Sequence, residues 1–154
     1  LRARIRPLMS LVIVGPPDGA GSRLDLALLK RRGAALLRSV GRRGDELTLS
    51  LVDDAAIREL NADYRGKPRA TDVLSFSLVE GDHGEHRGRL LGDVVISVDT
   101  AARQARERRR SLDETVTRLL IHGLLHIVGH DHERDDEARA MRSEERRLWA
   151  LVRP

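Results

Sequence analysis

ETVTRLLIHGLLHIVGHDH, residues 114–132, is the stretch on which the fold turns. It is the most apolar helical segment in the chain, so it should lie in the core with the other elements packed around it. It also gathers four of the chain's six histidines into residues 121–132. The expected site is therefore on a core helix and the turn after it.

Working outward, Ser111 or Asp113 can cap the start of that helix. Beyond it, RDDEARAMRSEERRLWALV (134–152) spaces Ala138, Met141, Leu148, Trp149 and Val152 along one side of an amphipathic helix. Upstream, LLGDVVISVD (90–99) reads as a strand that feeds an arginine-rich helix from about Thr100 to Arg110. DVLSFSLV (72–79) is another strand, joined to it by the polar, glycine-rich EGDHGEHRGR (80–89). ELTLSLV (46–52) alternates like a half-buried strand, and AAIRELNADY (55–64) follows as a helix that Asp53 or Asp54 can cap. SLVIVG (10–15) and LDLALLKRRGAALLRSV (24–40) complete the pattern as a strand and a helix. The basic LRARIRPL (1–8) precedes Met9, has no period, and reads as an extension outside a single domain spanning 9–154. Roughly four strands interleaved with four or five helices predict an α+β or α/β domain with one small mixed sheet.

Composition narrows the chemistry. A chain of 154 residues fits one domain, and 40% hydrophobic residues support a core. With no cysteine, disulfides, thiolate catalysis and sulfur-rich zinc sites are excluded, so nitrogen and oxygen must hold any metal. No apolar run approaches the roughly 18 residues a membrane span needs, and the expected address is the cytoplasm. The net charge of +4 conceals a run, RQARERRR (103–110), in which Arg103, Arg106, Arg108, Arg109 and Arg110 can hold RNA phosphates with little base specificity. One Phe, one Tyr and one Trp leave few platforms for base stacking.

The histidine spacing is specific. His122 and His126 share a helix face with about 6 Å of rise between them, so both rings can reach one ion. His130 on a continuing helix would rotate roughly 80° off that face. Gly129 can take a left-handed conformation and end the helix, which lets His132 return to the same point. His122, His126 and His132 form the expected triad, with a coordination position left open and zinc the first choice of ion. Asp131 is the expected carboxylate behind a ligand, and His130 a group that stands behind a ligand or faces substrate. The spacing also matches the HExxH of zinc proteases, but Gly123 stands where their glutamate base would be. Peptide hydrolysis is disfavoured, and Gly123 instead makes room for another backbone or a substrate.

A second region, NADYRGKPRATDVLSF (61–76), sets Arg65 and Lys67 at a loop-to-strand transition that can present a phosphate. HGLLHIVGHDH (122–132), with this region, LGDVVIS (91–97) and DDEARAM (135–141), resembles the YbeY-type endoribonuclease family over almost all of the chain from Met9. The resemblance implies a single α+β domain, a zinc-like ion on His122, His126 and His132, and Arg65 as the functional arginine near RNA phosphate. It further implies a single-strand-selective ribonuclease acting in the cytoplasm on ribosomal RNA near the 3′ end of the small-subunit (16S) molecule, and in ribosome quality control. The small ribosomal subunit and its proteins are then candidate partners. The chain departs from the family pattern at His130, where an aromatic residue is common, and at Ala70 and Ser77, where prolines are.

Two routes to cleavage stay open on the residues. A metal-activated water can attack with Arg65 stabilising the phosphate, or the RNA 2′-hydroxyl can attack with His130 as general base. Two other functions compete with the ribonuclease: hydrolysis of another phosphate ester, and noncatalytic ribosome binding with a structural metal.

Overall fold

The computed structural model describes residues 11–79 and 89–154, so the expected 1–8 extension and nearly all of the 80–89 connection lie outside the described residues. The elements run β1 (Leu11–Val14), α1 (Leu26–Ser39), β2 (Glu46–Val52), α2 (Asp54–Arg65), β3 (Val73–Ser77), β4 (Leu90–Ser97), α3 (Val98–Arg108), α4 (Leu112–Ile127) and α5 (Asp135–Val152), with a 3-10 turn at Ala20–Arg23. The strands form one sheet in the order β1-β2-β4-β3. β1, β2 and β4 are parallel, whereas β3 runs antiparallel to β4 and forms an edge. This is the expected mixed four-stranded sheet with five helices, and the class is α+β.

The alternation of β2 sorts the two faces. Leu47, Leu49 and Leu51 join Val94 and Ile96 of β4 in the main core, against Leu36 of α1, Leu120 and Leu124 of α4, and Met141 and Leu148 of α5. On the opposite face a smaller cluster packs Ile57 of α2 over Leu74 and Val95. A buried Leu or Ile removes enough apolar surface from water to be worth about 1.5–3 kcal/mol, so α4, all but fully buried along one side, anchors the whole.

Caps set the helix limits. Ser111 accepts the Glu114 N–H at 3.0 Å and starts α4. Asp53 does the same for α2, accepting from the Ala56 N–H at 2.9 Å. α3 begins two residues before its expected start because the Ser97 hydroxyl accepts the Thr100 N–H at 3.2 Å and ends the strand there. Asp54 binds this junction together: it accepts from Ser97 Oγ at 2.6 Å, Thr100 Oγ1 at 2.7 Å and Arg103 Nη2 at 2.9 Å.

α4 lies directly against the edge strand, and Gly123 is the reason. A Cβ there would stand 2.8 Å from Val94 Cγ1 and 3.0 Å from Ser75 Oγ, so only glycine permits this approach. Ser75 Oγ donates to the Gly123 carbonyl at 3.2 Å, and Ser77 Oγ to the Ile127 carbonyl at 3.3 Å. The two hydroxyls dock the histidine-bearing end of α4 along β3.

Candidate metal centre

The end of α4 is shaped by Gly129, whose φ of 102° turns the chain out of the helix. The Gly129 N–H donates to the His126 carbonyl at 3.1 Å and the His130 N–H to the Leu125 carbonyl at 2.9 Å. These paired bonds are a Schellman turn, which satisfies the last carbonyls of the helix while reversing the chain. His132 comes back beside the helix face as a result.

Three imidazoles converge. One ring nitrogen from each of His122, His126 and His132 lies within 4.8 Å of the others. His122 Nε2 and His126 Nε2 are 3.2 Å apart. Two nitrogens each about 2.05 Å from a tetrahedral zinc would be separated by about 3.3 Å, so this pair already has the spacing of co-ligands. Any closing that a bound ion demands falls on His132, the exposed ring on the loop. Burial, with His122 and His132 alongside, holds the His126 imidazole below its ordinary pKa of 6.5. The ring is therefore neutral at pH 7 and its lone pair is free for a cation. The donor set fits a divalent ion.

Behind the triad stands a carboxylate that the sequence did not disclose. Glu145 Oε2, from α5, is 3.5 Å from His122 Nδ1, on the nitrogen that does not face His126. Asp131, the expected orienting group, accepts the His132 backbone N–H at 2.7 Å and so steadies His132 through the main chain.

The centre opens into a groove of about 670 Å³, lined by β3, Thr71 and Asp72, the end of α2 and the 129–132 turn. Arg65 and His130 both line it, which joins Arg65, far away in sequence, to the histidines. Lys67, Arg103, Arg106 and Arg109 do not line it; Arg103 is engaged by Asp54, while Arg106 and Arg109 are exposed on and just after α3. Ser77 closes β3 against α4 by its hydroxyl.

The Endoribonuclease YbeY family model matches residues 29–152. The chain belongs to the YbeY family. The Endoribonuclease YbeY of Anaeromyxobacter sp. (strain Fw109-5) is 52% identical over 120 residues, covering 78% of this chain and 61% of that protein. The Endoribonuclease YbeY of Syntrophus aciditrophicus is 42% identical over 146 residues, covering 94% of this chain and 91% of the relative. The chain thus spans about three fifths of the first YbeY protein's length and nearly all of the second's. The solution structure of TM1509 from Thermotoga maritima superposes with a TM-score of 0.63 at 29% identity, covering 92% of this chain and 88% of that one. Among the described residues no helix is long and apolar enough to cross a membrane.

Proposed function

We propose that the chain is a metal-dependent endoribonuclease that cuts single-stranded RNA, with His122, His126 and His132 holding one divalent ion. Three imidazole nitrogens favour zinc. The observation that carries the reading is the convergence of three imidazoles in a groove that Arg65 also lines. The relatives, each named Endoribonuclease YbeY, support the reaction class.

When bound, an ion at this centre lowers the pKa of a water and draws charge from a phosphoryl oxygen. The chain's own side chains do the positioning. The Arg65 guanidinium holds non-bridging oxygens of the scissile phosphate and stabilises the charge that builds there. Gly123 leaves the helix without a carboxylate base, and His130, within the groove, is the side chain we assign to exchange a proton with a water nucleophile. A 2′,3′-cyclic phosphate on the product would overturn direct hydrolysis and make the RNA 2′-hydroxyl the nucleophile. The substrate we assign is small-subunit (16S) ribosomal RNA near its 3′ end, met in the cytoplasm on the small subunit during maturation and quality control. Family membership supports that assignment.

The test pairs elemental analysis with cleavage of matched single- and double-stranded RNA. Wild type should carry about one ion per chain and cut the single strand, and His126→Ala should lose both, with cleavage down by roughly three orders of magnitude. Arg65→Ala should keep the metal and lose cleavage. Metal retained in His126→Ala refutes the triad, and metal-loaded wild type that never cuts RNA refutes the enzyme.

A further inference from the structure

The groove at the histidines has a neighbour. A second hollow of about 390 Å³ adjoins it across Asp72, Val73 and His122, which line both. Its remaining walls include Gln104, Arg108, Arg110, Arg118 and Glu145.

Its guanidiniums are held but not consumed. Arg110 Nε and Arg118 Nε lie 3.4 and 2.8 Å from the same oxygen, Glu114 Oε2. One carboxylate thus serves two arginines through their inner nitrogens, and the terminal Nη nitrogens of both make no hydrogen bond to any described residue. Arg118 is further fixed over the Trp149 ring, 4.5 Å from its centroid. Arg108 has no ion pair among the described residues. The two acids in the hollow already have partners: Asp72 accepts from Gln104 Nε2 at 3.0 Å and from the Val73 N–H at 2.8 Å, and Glu145 faces His122 Nδ1. Three guanidiniums thus meet three carboxylates, Glu114, Asp72 and Glu145, so what marks the hollow is its unused donor forks rather than a net charge, and such forks take a phosphate oxygen pair. A hollow of this volume is in the size class of a small-ligand pocket, so it receives one nucleotide unit and no duplex.

We propose that this hollow binds a second phosphodiester of a single-stranded RNA whose scissile phosphate lies at the histidines, with Arg108, Arg110 and Arg118 as the clamp. The strand runs past Asp72 from one groove into the other, and the clamp fixes its register on the metal centre. The proposal rests on the ribonuclease reading above, and its failure can be told apart from the failure of that reading.

The experiment follows fluorescence anisotropy of a labelled twelve-nucleotide single-stranded RNA, with phosphorothioate linkages to slow cleavage, across a salt series. It compares the metal-loaded wild type with Arg108→Ala/Arg110→Ala, with Arg118→Lys, and with Arg43→Ala, which lines neither hollow. The double variant should weaken binding and reduce the salt slope by about 0.7, the share of the one single-strand phosphate that is no longer neutralised. Arg118→Lys, which keeps charge but not the fork, should weaken binding with a smaller change of slope, and Arg43→Ala should change neither. If the double variant fails to fold, Arg108→Glu, at an exposed position, must give the same direction of change. Unaltered affinity and slope in variants of a wild type that binds and cuts RNA overturn the clamp and leave the ribonuclease standing. A wild type that neither binds nor cuts RNA overturns both.

Discussion

Two stretches of this chain are dense in one functional residue type, and they behave differently. The histidines of 122–132 converge, with three rings around one point. The arginines of 103–110 radiate: Arg103 turns to Asp54, Arg108 and Arg110 to the second hollow, and Arg106 and Arg109 to neither hollow. Helix geometry explains the contrast for Arg103, Arg106 and Arg108 of α3, and the left-handed cap at Arg109 redirects the chain before Arg110. Each residue rotates about 100° from the last, so a consecutive run must spread around the axis, whereas residues four apart share a face. The histidines keep that spacing and then use a glycine turn to recover a third ring. Spacing marks a site better than density does.

The contrast sharpens first at Glu145, because a converging cluster depends on what stands behind it. A carboxylate on the outer nitrogen of a ligating histidine fixes ring orientation and raises basicity, and its removal typically weakens metal affinity by 10- to 100-fold. Glu145→Ala should show a loss of that order in chelator competition, and Glu145→Gln should recover part of it. Metal affinity unchanged in both variants would make His122 self-orienting.

The two regions were also unequally legible. The core helix, its Ser111 cap and the Gly129 reversal are local properties, readable from apolar period, capping residues and a glycine between histidines. The alternation in ELTLSLV likewise predicted β2, because one face of that strand is buried. Glu145 was hidden because it reaches His122 through the packing of α5 on α4, which no local spacing encodes. Arg118 left a usable signal: it stands four residues before His122, on the same face of α4, but outside the conspicuous arginine run. Strand order was hidden too, since β4 inserts between β2 and β3 and nothing in the linear order of strands requires it.

The turn that makes the histidines converge offers the next test. Gly129 has φ 102°, a conformation that any Cβ opposes, so Gly129→Ala should cost about 1–2 kcal/mol. The loss should appear in denaturant unfolding of the metal-free protein, and metal affinity should fall with it as His132 is displaced. A variant that is destabilised yet binds metal normally would separate the helix stop from ligand placement.

The smallest effect belongs to the arginine that points away. Arg103 lies 2.9 Å from Asp54 but is about half exposed, so its ion pair contributes under about 1 kcal/mol. Burial raises the Asp54 pKa, but hydrogen bonds from Ser97, Thr100 and Arg103, with the charge of Arg103, outweigh it and hold the carboxyl below its ordinary 3.8. The stability linked to that depressed pKa is present above pH 3.8 and is lost as pH falls through the lower folded value. Arg103→Ala should therefore lower stability slightly near neutral pH, and the difference from wild type should shrink below pH 3.8 as Asp54 is protonated in both proteins. RNA affinity should stay at the wild-type level, because Arg103 lines neither hollow. A drop in RNA affinity matching that of Arg108→Ala/Arg110→Ala would mean that the arginine run acts as a whole by its charge, and direction around the helix would cease to matter.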